Sequence, residues 1–208
     1  VMLFLYAAIA VLSVVSCSDR KSRNTGTVFS LSWCGELFHD RVIIQSFVVM
    51  LVVAIASSVV ATLLGTLAAI GLNKMNKKLK SVVMTFTYLP MINPEIITGV
   101  ALMLLFIYLK MEFGMQTLII SHITFNVPYV ISNVLPKLRQ MDQNTYDAAL
   151  DLRCNPFTAF TKVVIPEIMQ GIVSGFLMAL TYPMDVFVIS FFVSGVSIQS
   201  LPLAIHRI

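Results

Sequence analysis

The chain has 208 residues, of which 58% are hydrophobic and only 12% are charged. Soluble domains carry about 25% charged residues, so this composition excludes an ordinary soluble protein. No soluble-type stretch is long enough for one span carrying a soluble domain, and an all-α, polytopic membrane protein is expected. The net charge of +4 is small and sits in loops, a bias of membrane proteins rather than a nucleic-acid-binding surface.

Five spans are expected, at about 1–16, 46–72, 82–108, 117–136 and 171–193, within one transmembrane domain covering 1–208. The chain opens on the apolar run Val1 to Val15 with no positive segment before it. That pattern fits a first spanning helix clipped at its start better than a signal peptide. The polar stretch that follows places Trp33, Leu37 and Phe38 at helical spacing, as in a short interfacial helix with an aromatic anchor. Cys17 and Cys34 either pair within this stretch or remain free thiols, and neither they nor Cys154 have metal-ligand spacing. No charge occurs from Val42 to Leu72 or from Phe113 to Pro136; each run is long enough to cross a bilayer, which takes roughly 20 apolar residues.

Between spans two and three, "NKMNKKLK" supplies Lys74, Lys77, Lys78 and Lys80. This cluster beside span ends places 73–80, and by alternation 137–170, in the cytoplasm. A sixth span beyond Ile208 would return the chain to that side. The third span is broken by Pro90, Pro94, Glu95 and Gly99; the fourth carries His122, Asn126 and Pro128, and the fifth Pro183 with Asp185. Non-helical backbone at membrane depth is tolerated only against protein or a cavity, and discontinuous helices point to a transport site.

The stretch 142–166 reads as a helix–turn–helix outside the membrane. Asn144 is an expected N-cap with Asp147 at its third position, and the first helix ends near Arg153 and Cys154. Asn155 then caps a second helix with Pro156 at its first position, and Pro166 stops that helix. Ala148 and Ala149 leave a thin face, suited to lying deep in a groove of a soluble partner; the plainer alternative is a solvated connector.

At this motif the chain resembles the membrane subunits of binding-protein-dependent ABC importers. Their pattern Glu-Ala-Ala, three residues, Gly, nine residues, Ile-x-Leu-Pro is matched by Asp147, Ala148 and Ala149, then Val163, Ile165 and Pro166, with Arg153 where Gly is usual. "LGTLAAIGL", "SHITFNVPYV", "VVIPEIMQGIVSG", "FVISFFVSG" and "LPLAIHRI" look like the polyamine (spermidine/putrescine) branch. The family's acidic pair before Phe in span five is here Asp185 followed by Val186. The resemblance implies a type I importer permease fold with six spans in the full-length family, in the bacterial inner membrane and its lipid. It also implies ABC ATPase subunits that hold ATP and Mg, a second homologous permease and an extracytoplasmic substrate-binding protein. The 142–166 hairpin would dock into the ATPase through Asp147, Ala148, Ala149, Arg153, Val163, Ile165 and Pro166.

The chain has no G-x-x-x-x-G-K-[ST], H-E-x-x-H or G-x-S-x-G, so phosphate-loop, zinc-protease and serine-hydrolase chemistry have no residues to use. His39, His122 and His206 fall on three segments and suggest no metal site. A transport subunit with no cofactor of its own is expected, not an enzyme. A carboxylate at helix centre costs about 2.5–3.5 kcal/mol and usually has a function. Glu95 and Asp185, flanked by Tyr88, Tyr182 and Phe187, would suit a polycation by charge and cation–π contact; alternatively, either acid pairs with a neighbouring subunit or caps a broken helix. The rivals are an importer of the same architecture for a phosphonate or metal ion, a membrane enzyme and a structural membrane subunit. Acids along the path favour the cation.

Overall fold

A chain in lipid must satisfy its backbone polar groups within its own helices, and every regular element among the described residues is helical. The computed structural model describes residues 6, 7, 11, 41–93, 95–185 and 187–193. In chain order these form α1 (Arg41–Lys74), α2 (Lys77–Ile92), α3 (Glu95–Tyr108), α4 (Met115–Gln140), α5 (Gln143–Asp151) and α6 (Pro156–Ala159). A π-helical turn (Phe160–Val164), α7 (Ile165–Asp185) and α8 (Phe187–Val193) follow. The chain divides into two compact units, Val1–Ser46 and Phe47–Ile208. Of the first, only helical positions at Tyr6, Ala7 and Val11 and the start of α1 are described. The expected first span, the interfacial helix at Trp33, Cys17, Cys34, His39 and His206 lie outside the described residues.

Ile43–Lys74, Met115–Gln140 and Pro156–Pro183 are each long and apolar enough to cross a membrane, and α2 with α3 makes a fourth crossing if that bent pair is one span. Ile43–Lys74 and Met115–Gln140 cover the expected 46–72 and 117–136, and the bent pair covers 82–108, whereas Pro156–Pro183 overlaps the expected 171–193 only over 171–183. The expected break in span three is a bend of 107° between α2 and α3. Asn93, forced off helical geometry by the proline after it, is extended at φ −72° and ψ 143°.

The fourth and fifth spans differ. α4 runs unbroken through Pro128 and Pro136, and Pro183 lies inside α7. Within membranes, hydroxyl side chains and neighbouring helices can make up for a proline's missing donor. Near Pro128, Thr124 Oγ1 donates to the Ile120 carbonyl at 2.8 Å and Ser132 Oγ to the Pro128 carbonyl at 2.9 Å; neither bond reaches the Thr124 carbonyl, which Pro128 leaves without its helical donor.

The principal pairing is α7 on α4. Thr117 Oγ1 donates to the Val193 carbonyl at 3.0 Å, Asn126 Nδ2 to the Ala179 carbonyl at 2.9 Å, Ser174 Oγ to Asn133 Oδ1 at 3.0 Å, and Lys137 Nζ to Gln170 Oε1 at 3.2 Å. As the position rises on one side it falls on the other, so the two segments run antiparallel. Gly171 and Gly175, at G-x-x-x-G spacing, let the backbones touch. A Cβ on Gly171 would lie 2.9 Å from the Asn133 carbonyl oxygen, and one on Gly175 would lie 3.2 Å from Val130 Cα. α1 approaches the same helix through Gly65, where a Cβ would stand 2.7 Å from Val130 Cβ. The buried core around this contact includes Ala69, Val130, Val134, Leu138, Ile168 and Ala179. A second cluster joins α3, α4 and α8 through Leu102, Phe106, Phe125, Ile189 and Val193.

Because the obstacle at Gly171 is backbone rather than the end of a flexible side chain, Gly171→Val should push α7 off α4. We expect a loss of about 1–3 kcal/mol, seen as a lower melting temperature of the detergent-solubilised protein, whereas Gly71→Ala, whose Cβ would meet nothing within 4 Å, should leave melting unchanged.

Candidate functional site

Two sites follow from this frame, one at each end of α7. The first is the hairpin of α5 and α6. Asp142, not Asn144, is the N-cap of α5: its carboxylate accepts from the Asn144 N–H at 3.0 Å. Either residue type serves as a cap, and Asp142 precedes the helix because Met141 already has the extended backbone that ends α4. Asn155 caps α6 as expected, its Oδ1 accepting from the Phe157 N–H at 3.2 Å with Pro156 at the first position.

The turn between the two helices centres on Arg153, at φ 58°. The Cys154 N–H donates to the Ala149 carbonyl at 3.2 Å and the Arg153 N–H to the Leu150 carbonyl at 2.9 Å, the paired bonds of a Schellman ending with Arg153 at its left-handed position. That is the position where the resemblance places Gly. A side chain there costs roughly 1 kcal/mol or more.

Pro166 does not stop the second helix. Ile165 keeps helical geometry, and its N–H reaches back five residues to the Phe160 carbonyl. The π-helical turn accommodates the proline by widening the backbone before it, so the ring avoids the carbonyl four residues back. One helical rod therefore runs from Pro156 to Pro183.

Asp147 and Ala148 are exposed, Ala149, Val163 and Ile165 are half-buried, and Arg153 and Pro166 are exposed. Sequence reasoning missed the most telling pair: Leu152 is 84% exposed and Phe157 74% exposed. Leu152 follows Ala148 by one helical turn, so a small residue and a large apolar one share a face outside the spans; the i to i+4 spacing was the available signal. Behind the hairpin, a cavity of about 320 Å³ is lined by Asn73, Lys74, Leu138, Tyr146, Asp147 and Phe160, among others. Lys80 sits below the ordinary lysine pKa, first through desolvation and then through the positive charge of Arg139. Both observations put the 73–80 loop at the same end as the hairpin, as the charge pattern requires.

The second site lies at the opposite end of α7. Tyr182 stacks on Tyr129 with ring centroids 4.1 Å apart and meets the edge of Phe125 at 5.8 Å; Phe125 and Tyr129 are 5.6 Å apart. The Tyr129 and Tyr182 rings are tilted by 36° to one another. Glu95 is the first residue of α3 and is half-buried, where the helix dipole favours a carboxylate. The structure thus joins Tyr182 to Phe125 and Tyr129, an aromatic pair at i, i+4 that the sequence reading passed over. Tyr88, 40% exposed on α2, is not part of this cluster. Asp185 is the last residue of α7 and Phe187 the first of α8; their side chains lie outside the description. Among the described residues no group of acidic, His or Cys side chains could hold a metal.

The described residues thus form a helical membrane scaffold with an aromatic cluster toward one end of α7 and exposed large apolar side chains at the other. The family model for binding-protein-dependent transport system inner membrane components matches residues 61–205. The chain belongs to this family. It is 32% identical to the spermidine/putrescine transport system permease protein PotC of Haemophilus influenzae, over 100% of this chain and 81% of that protein. It is 33% identical to the putrescine transport system permease protein PotI of Escherichia coli, over 97% of this chain and 74% of the relative. With PotC of Escherichia coli it shares 32% identity over 98% and 77%. The family match spans both sites, and this permease is a multi-pass membrane protein.

The turn at Arg153 makes a direct test. Arg153→Gly should stabilise the hairpin by a net ~0.5–1 kcal/mol, after allowing for the extra freedom of Gly in the unfolded chain. Hydrogen exchange at the amides of Arg153 and Cys154 should slow severalfold.

Proposed function

We propose that this chain is one of two membrane-spanning subunits of an ATP-driven polyamine importer of the bacterial inner membrane. It forms half of the path and couples to a separate ATPase. The observation that carries the solute class is the similarity of the chain, over nearly its whole length, to permeases of spermidine and putrescine systems; the half-buried carboxylate of Glu95 at the break in a span and the Tyr129–Tyr182 ring pair support it. A polyamine alternates ammonium groups with methylene spacers. The carboxylate attracts the ammonium, tyrosine faces add cation–π attraction, and the rings give the methylenes an apolar wall. A phosphonate would meet repulsion from such a carboxylate, and among the described residues no group of acidic, His or Cys side chains could hold a metal ion.

The coupling part of the proposal rests on the exposed Ala148, Leu152 and Phe157. Large apolar side chains outside the bilayer call for a cover, and a cytoplasmic ATPase subunit supplies one; ATP and Mg are held there. The rod Pro156–Pro183 then carries a push on the hairpin to Tyr182 without a joint in between. An extracytoplasmic binding protein delivers the solute, and a second, homologous permease completes the path. Asp147, Arg153, Val163, Ile165 and Pro166 shape the hairpin, while Asp185 and Phe187 extend the pathway beyond Tyr182.

Ala148→Arg adds bulk and charge on an exposed face without disturbing the helix. It should abolish co-purification of the ATPase while membrane insertion is kept; normal coupling with this variant would refute the docking face. Glu95→Gln and Asp185→Asn should each weaken polyamine-stimulated ATP hydrolysis roughly 10- to 100-fold, the range for losing one charge-assisted bond, and leave basal hydrolysis intact. The loss should be larger for a tri-cation than for a di-cation. Equal loss of basal hydrolysis would make the acids structural.

A further inference from the structure

The pyrrolidine nitrogen of Pro183 has no hydrogen to donate to the carbonyl four residues back, that of Ala179. The carbonyl is fully buried, Ala179 being 0% exposed, and in lipid no water replaces the missing donor. Asn126 of α4 fills that role: its Nδ2 donates to the Ala179 carbonyl at 2.9 Å, and Asn126 itself is 0% exposed. A carbonyl only accepts, so the amide nitrogen must face it, which fixes the orientation of the side chain. Asn126 Oδ1 is left without a partner. A buried, half-satisfied amide is costly, so the bond it does make is the physical reason for having an amide there.

The position matters as much as the bond. Asn126 lies between Phe125 and Tyr129 on α4, and Ala179 is three residues before Tyr182 on α7. Both partners of the Tyr129–Tyr182 stack are therefore within one turn of this cross-helix bond, and Asp185 lies beyond it at the end of α7. Without the bond, the last turn of α7 would have a free carbonyl at its base and one constraint fewer on its direction.

We propose that Asn126 is a positioning residue for the solute path. Its amide replaces the backbone donor that Pro183 removes and so holds the Tyr182 end of α7 against α4. This rests on the polyamine-importer reading for its functional consequence, but not for the bond itself.

The test is a double-mutant cycle on the full chain co-expressed with its transport partners, using Asn126→Leu, Pro183→Ala and both together. Alanine at 183 restores the N–H, which bonds the Ala179 carbonyl within the helix. Asn126→Leu alone should lower the melting temperature of the complex by about 2–6 °C. It should also raise the half-saturating spermidine concentration for stimulated ATP hydrolysis roughly tenfold, the scale of one buried hydrogen bond, with maximal hydrolysis per assembled complex retained. A purely structural role would lower the amount of complex without moving half-saturation. In the Pro183→Ala background the melting loss caused by Asn126→Leu should disappear. Equal losses in both backgrounds, or no loss in either, would overturn the proposal. If Asn126→Leu alone yields no complex, assembly of the double variant supports the proposal and its failure to assemble refutes it. Wild-type complex that spermidine does not stimulate would defeat the polyamine reading, while the melting cycle would still report on the Asn126–Pro183 pair.

Discussion

The structure depends on the close approach of α7 to α4. Lipid offers no hydrophobic drive for two helices to associate, so the pair is held by backbone proximity and by polar bonds. Gly171 and Gly175 supply the first, and the bonds from Asn126, Ser174 and Lys137 supply the second. Once α7 lies on α4, Phe125 and Tyr129 face Tyr182, α8 closes on α3, and the hairpin end meets the end of α1. Each proposed site is a consequence of that one interface.

Proline has three different outcomes here, and the difference is environmental. Before Pro94 the chain bends by 107°. At Pro166 a π-helical turn absorbs the ring and the rod continues. At Pro183 the helix is kept, and the lost hydrogen bond is replaced from a neighbouring helix by Asn126. The local rule that proline interrupts a helix is sound; the cost can be met by bending, by rewinding or by a donor from elsewhere. The outcome at Pro166 keeps Pro156–Pro183 one continuous rod, and the bend between α2 and α3 leaves Glu95 at a helix start.

The hairpin shows a related balance. Its turn accepts the strain of Arg153 at φ 58° because two carbonyl bonds, from Cys154 and Arg153, hold the ending in place. The caps at Asp142 and Asn155 define both helices, so Leu152 and Phe157 stay exposed instead of collapsing onto each other. A docking surface needs that stiffness, since ordering it on binding would cost affinity.

Membrane insertion, the helical class, the spans at 46–72 and 117–136, the hairpin and the left-handed turn at Arg153 were all legible in the sequence. They follow from local quantities: the length of charge-free runs, cap residues, and a basic residue where glycine is usual. The acids Glu95 and Asp185 were legible too, because a carboxylate inside a span is conspicuous by its cost. What the sequence could not decide was which side chains meet across helices. Phe125 and Tyr129 look like ordinary apolar filling until α7 brings Tyr182 within 4.1 Å. Asn126 reads only as a polar residue within a span until its amide is seen on the Ala179 carbonyl. Pro166 reads as a stop until Ile165 is seen bonded to Phe160. The π-helical turn at Pro166 is a local rewinding over five residues, but the outcomes at Tyr182 and Asn126 belong to tertiary structure because the energies that settle them, a packed ring or a satisfied carbonyl, depend on residues about 50 positions apart in the chain, and no local pattern encodes which helix will be the neighbour.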